Sequence, residues 1–356
     1  MTVYVLGAGA SKHAGYPLAS SMGKDLIAWM KSRAASILEY STVAAQIEET
    51  FPPFEDLDDL FEQMSEVVQK FVSGTVEQRM TRALVARQRY VATEAIRECF
   101  LDIRRAEQQR AYEAFAQYIF QSGDCVLTFN YDVSLDRELK KASRWDVGDG
   151  YGFIVDSFPT TPTRLLKLHG STNWLALMDG LPRRGFAQVS SAFASPRPAI
   201  AAADLEFLGY PGRRDAIFPS ECPALPAMIA GRNKRFFFET SFGPEWGKFW
   251  RGLWEQAATA MACAERIVIC GYSLPAADVA ARDLLLSAPR KDAEIEVVCG
   301  DRRSDEIVNE YKRKGCTRVR VADQRYFEDW VSAHCRVSEG QRPATNDQRR
   351  ATQAGC

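Results

Sequence analysis

Short apolar runs and stretches of helical period alternate along this chain, and that alternation is the first guide to its architecture. Val3–Leu6, Cys125–Thr128, Leu165–Leu168, Arg266–Cys270, Glu294–Cys299 and Arg318–Val321 are mostly apolar runs, and most lead into Gly, Asn, Asp or His. Runs without polar alternation read as strands covered on both faces, as in a parallel sheet, with polar loops at their C-terminal ends. Between residues 34 and 121 the period changes. Leu57, Leu60, Phe61, Met64, Val67, Val68 and Phe71 recur at helical spacing, and Tyr112, Phe115, Ala116 and Ile119 repeat it. The reading is an α/β fold: a helix-covered parallel sheet with a helical insertion, about residues 34–121, between its first and second strands.

Three further segments complete the organisation. Asp179–Asp215 has little periodicity and reads as loop or lid. Trp246, Phe249, Trp250, Leu253, Trp254 and Ala257 mark an amphipathic helix before the Arg266 strand. Residues 336–356 hold one large apolar side chain, Val337, and are expected to be a disordered tail behind a single domain of residues 1–335.

Composition narrows the function classes. Lys plus Arg number 45 and Asp plus Glu 46, a net charge of −1, so no positive excess is available to condense on a phosphate backbone or an anionic bilayer. Neither direct nucleic-acid binding nor membrane association is expected. No run approaches the roughly 18 apolar residues of a membrane span, and Thr2–Leu6 leaves no room for a basic leader region, so a cytoplasmic protein is expected. The 9 cysteines are scattered without a Cys-x-x-Cys pair, which argues against a disulfide framework and a cysteine zinc site and fits a reducing compartment.

The candidate chemistry lies where strands end. Gly7-Ala8-Gly9-Ala10-Ser11 follows the first strand and precedes a helix expected from about Pro17. Glycines there let a phosphate approach backbone N–H groups near a helix N-terminus, or simply make a strand-to-helix turn; Lys12 stands where the dinucleotide fingerprint has its third glycine. Thr128-Phe129-Asn130-Tyr131-Asp132 follows the second strand, and Asp132 reads either as a ligand-facing carboxylate or as the cap of the helix through Leu135 and Leu139. Lys167-Leu168-His169-Gly170-Ser171 follows the third. Of the 3 histidines, at positions 13, 169 and 334, only His169 is followed by small residues that leave room for a ligand, so it reads as a general base or as a structural imidazole. Cys270-Gly271-Tyr272-Ser273-Leu274-Pro275 follows the strongest strand, with Gly271 and Ser273 candidates for a phosphate or ribose and Pro275 expected in the first turn of the next helix. Asp301, after the next strand, could meet a ribose or adenine, or cap a helix.

Taken in order, these motifs resemble the sirtuin (SIR2) superfamily, and in particular the SIR2-like branch of bacterial anti-phage systems. Gly-Ala-Gly-Ala-Ser, Asn-Tyr-Asp, Leu-His-Gly-Ser-x-Asn-Trp (Leu168–Trp174) and Gly-Tyr-Ser-Leu-Pro-x-x-Asp carry the resemblance, which spans Val3 to about Val321. It implies a Rossmann-like sheet that takes NAD⁺ as substrate. By position, Ala8, Gly9 and Ser11 would contact the pyrophosphate, with Gly7 and Ala10 of the same loop also cofactor-binding. Asn130 and Asp132 would flank the nicotinamide ribose with His169 as the base, Gly271 and Ser273 would hold the adenosine side, and Thr128 and Asp301 are further cofactor-binding candidates.

Departures shape the expected activity. The cysteine spacing cannot build the four-cysteine zinc module of sirtuin deacylases, so no metal is expected, and Ala14-Gly15-Tyr16-Pro17 stands where those enzymes have Asp-Phe-Arg. Cys299-Gly300 replaces the Asn-Pro frequent in the branch. The resemblance then implies an NAD⁺ glycohydrolase giving nicotinamide and ADP-ribose, an NAD-depleting effector of an abortive-infection system. Such an effector would be gated by homo-oligomerisation or by a partner, with a HerA-like ATPase or a short Argonaute-type protein as family-level examples. A non-catalytic NAD⁺ or ADP-ribose sensing module, and ADP-ribosyl transfer or cyclisation, stand as alternatives.

Overall fold

The computed structural model describes residues 1–33, 40–51, 53–54, 56–70, 74–106, 110–145, 151, 164–177, 197–200, 224–228 and 244–340. Its strands are β1 (Thr2–Leu6), β2 (Cys125–Thr128), β3 (Arg164–Lys167), β4 (Gly170–Leu177), β5 (Arg197–Ile200), β6 (Ala224–Met228), β7 (Arg266–Cys270), β8 (Glu294–Val298) and β9 (Arg318–Val321). Its helices are α1 (Ala8–Ser11), α2 (Ala19–Lys31), α3 (Tyr40–Thr50), α4 (Leu57–Lys70), α5 (Val76–Ala106), α6 (Arg110–Ala114), α7 (Ser134–Lys141), α8 (Pro244–Cys263), α9 (Val279–Ser287), α10 (Asp301–Arg313) and α11 (Phe327–Gly340).

The six strands read from apolar runs form one parallel sheet in the order β3-β2-β1-β7-β8-β9. Counting only these strands, the order is that of a doubly wound, Rossmann-like sheet, with its switch point between β1 and β7. Successive side chains of a strand point to opposite faces, and Val3, Tyr4 and Val5 are all buried, so both faces are covered. Tyr4 shows what covers one of them: its ring meets Phe115, Phe120 and Trp330.

Register sets the site's location. Leu6 pairs with Thr128 and Cys270, Thr128 with Lys167, and Cys270 with Val298, so five strands end level with one another. The segments that follow them emerge along one rim.

The helical insertion is present between β1 and β2, and it has its own core. Leu60, Met64, Val85 and Ile96 pack there with Val43 and Ile47, and the cluster also takes in Met22, Leu26, Ile27 and Met30 of α2. The insertion therefore begins in packing terms at α2, before residue 34. A second, antiparallel sheet in the order β5-β4-β6 lies beside it, with α5 against β4 and β6. This sheet was not legible in the pattern: β5 falls inside the expected loop, and Pro198 and Pro226 interrupt the signal. Both prolines sit on edge strands, where a missing N–H is best tolerated.

Other expectations shift. The first helix starts at Ala8, and a 3-10 turn at Lys12–Ala14 precedes α2, which opens two residues past Pro17. Pro275 lies before α9, whose cap is Asp278, instead of in its first turn. Helix α11 runs to Gly340, so residues 336–340 are helical where a disordered tail was expected. Phe71, residues 179–196 and 201–215, and residues 341–356 lie outside the described residues.

A tight backbone contact joins the β1 and β7 ends. At Gly271, φ is +64°, and an added Cβ would stand 2.1 Å from the Ala10 nitrogen. Gly271→Ala is expected to cost about 3 kcal/mol or more in urea unfolding. Gly123→Ala, at φ +88° with nothing within 4 Å, should cost only the left-handed backbone term of about 1–2 kcal/mol. Equal losses would show that the Gly271 contact is unimportant.

Candidate functional site

Glycine holds the floor of the rim. The Gly7 N–H donates to Cys270 O (3.0 Å), the Gly9 N–H to Gly271 O (2.9 Å) and the Ala10 N–H to Gly7 O (2.8 Å). These donors, aimed at a pyrophosphate in the sequence reading, are spent within the protein, and α1 is a single turn of 4 residues. The glycines serve here to bring two loops into backbone contact. A Cβ on Gly7 would meet the Tyr272 Cα at 2.6 Å.

Ser11, 1% exposed, is the centre of a buried network, with its hydroxyl turned into the protein. Its hydroxyl donates to Asp132 Oδ2 (2.8 Å) and accepts from Asn130 Nδ2 (2.9 Å). A serine hydroxyl has one proton. Since Asp132 takes it, the Tyr112 hydroxyl 2.8 Å away must donate to Ser11. Burial and the nearby Asp132 charge push the Tyr112 pKa well above the usual tyrosine value, so the phenol keeps that proton.

Proton counting also orients Asn130. Its amide nitrogen donates to Gly7 O (3.0 Å) as well as to Ser11 Oγ, so both N–H groups are used and the acceptor Oδ1 is what the side chain has left to offer. Asp132 is buried with both oxygens engaged inside the protein: Oδ2 receives Ser11, and Oδ1 accepts the Ser134 N–H in the first turn of α7 (3.1 Å), whose N-cap position is Val133. Thr128 Oγ1 accepts the Asn130 N–H (3.1 Å), which makes it a support for Asn130.

His169 lies in the tight turn Leu168–His169 between β3 and β4, closed by Gly170 at φ +84°. The turn is tied to the β2 loop: Leu168 N–H donates to Thr128 O and Thr172 N–H to Tyr131 O, each at 2.9 Å. The imidazole is buried, edge-on to Phe129 with centroids 4.9 Å apart. Its Nε2 stands 3.1 Å from Asp278 Oδ2, at an angle that makes no hydrogen bond, and is shut off from solvent. Thus His169 and Asn130 are brought to one part of the rim by Phe129 and its neighbours. Ser273 and Asp301 follow β7 and β8, on the far side of the β1–β7 junction, and Ser273 is exposed.

Sequence reading passed over four contributors: Lys167, Tyr151, Tyr112 and Asp278. Lys167, fully buried, donates to Asp132 O and pairs with Asp136 (3.3 Å), tying the β2 loop to the end of β3. Tyr151 donates to Asp136 Oδ1 (2.8 Å) and accepts from Asn173 Nδ2 (2.7 Å). Burial raises the Asp136 pKa, and the Lys167 charge opposes the rise. Tyr112 was visible only as part of an apolar stripe, and Asp278 only as the last letter of a motif. Lys167 alone carried a usable signal, a charged residue inside an otherwise apolar strand.

The other histidines stand apart. His13 Nδ1 lies 2.8 Å from Ala10 O with its ring against Tyr112 and Phe327, and His334 bonds Trp330 O. Among the described residues no group of three His, Cys, Asp or Glu could hold a metal ion, and no helix is long and apolar enough to cross a membrane.

No family model and no curated protein matches the chain. Among solved structures it is similar to a Sir2 homologue in complex with NAD, at 12% identity over 95% of this chain and 89% of that one, with a TM-score of 0.41. It is also similar to a triple mutant of Sir2 homologues bound to 2'-O-acetyl ADP ribose (13%, 97% and 94%, TM-score 0.44) and to a structure of sirtuin substrate affinity (14%, 96% and 94%, TM-score 0.40). Likenesses of this depth do not place the chain in that family.

Two stability outcomes follow from the geometry. Lys167→Met leaves Asp136 buried without its cation and should cost about 3–5 kcal/mol in chemical denaturation, whereas Lys167→Met with Asp136→Leu should recover much of the loss. A single variant as stable as wild type would remove the clamp. For His13, burial lowers the pKa below its usual 6.5, with the Ala10 carbonyl opposing. The unfolded chain therefore binds the proton more readily, and stability should fall as pH drops below about 6.5. His13→Phe should flatten that part of the stability–pH curve, and an unchanged slope would show that another group sets it.

Proposed function

We propose that the chain is an NAD⁺ glycohydrolase: NAD⁺ and water give nicotinamide, ADP-ribose and a proton. The observation that carries this reading is the joining of His169 and the Asn130 loop at the C-terminal rim of a doubly wound sheet, beside its switch point, where such sheets take ligands. The four-motif resemblance supplies the substrate. Asn130 Oδ1 and a His169 ring nitrogen, polar atoms of the described residues with no hydrogen bond within the protein, fit a ribose and an attacking water. The Gly9 N–H is engaged with Gly271 O and adds nothing to a phosphate cradle.

The chemistry suits those groups. The glycosidic bond of NAD⁺ breaks with neutral nicotinamide leaving, so no acid is required; what remains is a cationic, oxocarbenium-like ribose and a water to be deprotonated. Asn130 Oδ1, an acceptor, orients that water or a ribose hydroxyl. His169 takes the proton. Ser11 and Gly7 take both N–H groups of the Asn130 amide, with Tyr112 donating to Ser11 behind it, which leaves Oδ1 as its acceptor. The resemblance to the anti-phage branch supports an NAD-depleting defence effector gated by self-assembly or a partner protein.

Purified protein incubated with NAD⁺, alone and with candidate partners, and resolved by chromatography tests the reading. Nicotinamide and ADP-ribose are expected. His169→Ala should abolish their release while NAD⁺ affinity stays within about tenfold, since a group acting in the transition state adds little to ground-state binding. Asn130→Ala should lower turnover by about 10²–10³. A protein that binds NAD⁺ and never releases nicotinamide is a sensing module instead.

A further inference from the structure

We propose that Asp278 is the positioning residue for the His169 ring, holding a proton on Nε2 and so leaving Nδ1 as the atom with the lone pair. Its consequence for turnover rests on the glycohydrolase reading; the pairing itself does not.

Both partners are buried, with Asp278 3% and His169 7% exposed, and 3.1 Å separates His169 Nε2 from Asp278 Oδ2. At that distance a carboxylate oxygen attracts an Nε2–H and repels a bare Nε2 lone pair, and a ring rotation that brings the N–H onto Oδ2 completes the hydrogen bond. The tautomer with Nε2 protonated is therefore the one this geometry favours.

The carboxylate is itself held on several sides. Tyr272 donates to the same Oδ2 (2.8 Å), and Asp278 caps α9. The Tyr272 pKa is pushed well above its usual value by burial and by the Asp278 charge, so its hydroxyl remains a donor. Phe129 stacks on Tyr272 at 4.1 Å while presenting itself to His169, so one aromatic ring braces both members of the pair.

The backbone leading to Asp278 is constrained as well. Leu274, buried, has φ +49°, a conformation costing a branched residue about 1–2 kcal/mol. Arg282 (2.7 Å) and Arg303 (2.9 Å) both donate to its carbonyl, and Arg282 also pairs with Glu310. Such strain persists where surroundings over-determine it, and it concentrates at functional sites. Here it delivers one carboxylate to one imidazole. During hydrolysis Nδ1 would take the proton from water, and Asp278 would stabilise the imidazolium that forms.

The chain has 3 histidines, so ¹⁵N-histidine NMR resolves each ring. At pH 8 the expected His169 spectrum has Nε2 protonated and Nδ1 bare, with Asp278→Asn shifting the ring toward the other tautomer. A wild-type ring protonated on Nδ1 overturns the proposal, and that spectrum decides even where the variant fails to fold. Kinetically, Asp278→Asn should lower kcat by about 10²–10⁴ with the NAD⁺ Kd within about threefold, and should add no loss to His169→Ala. Losses that multiply in the double variant mean that Asp278 does not act through His169, and the proposal falls. An Nε2–H ring in a protein that never releases nicotinamide upholds the pairing and removes the glycohydrolase reading.

Discussion

Backbone contact between the loops after β1 and β7 is the constraint from which the site follows. Those strands are neighbours in the sheet, yet their chains depart toward opposite edges, and the loops can touch only where side chains are absent. Gly7, Gly9 and Gly271 provide the contact, through Gly7 N–H to Cys270 O and Gly9 N–H to Gly271 O. From one side the contact delivers Ser11 beneath Asn130. From the other it launches the Tyr272–Asp278 segment toward His169. A methyl group at Gly271 would displace both at once.

Around this contact the protein buries an unusual amount of polarity. Ser11, Asp132, Asp136, Lys167, Asn173 and Asp278 are all 7% exposed or less. Removing such groups from water is costly unless each finds a partner, and most do, in two chains that share the Asp132 loop: Tyr112–Ser11–Asn130 and Asn173–Tyr151–Asp136–Lys167. A satisfied network of this kind fixes directions. Asn130 can present only its carbonyl oxygen, and the Lys167 ammonium holds the loops bearing Asn130 and His169 in one arrangement. Among the described residues, His169 Nε2 is a buried polar atom on the rim that this pairing leaves short of a hydrogen bond.

Tyr112 links the helical insertion to that rim by a hydrogen bond, and Tyr131 of the rim loop packs into the insertion's core. Tyr112, at the end of the insertion, reaches Ser11 while its ring packs on His13 and Phe327. A shift of the insertion's last turns would therefore reach Asn130 through two hydrogen bonds, which gives the insertion a physical route to the site.

Much of the fold was legible because parallel strands covered on both faces are continuous apolar runs; β2, β7 and β9 begin and end where the pattern placed them, and the insertion stood out by its change of period. The second sheet was hidden, since its edge strands tolerate prolines and its pairing is long-range. At the site, the sequence by itself determined which residue types stand at the strand ends, because glycine, serine, asparagine and histidine there are local choices of turn chemistry. It could not say that Gly9 spends its N–H on Gly271, that Asn130 spends both amide N–H groups on Gly7 and Ser11, or that Asp278 lies beside His169. Ser11 and Tyr112 are 101 positions apart in the chain, and Gly7 and Asn130 are 123. The direction of a hydrogen bond depends on every other partner its donor and acceptor already have, and only the tertiary structure brings those partners together.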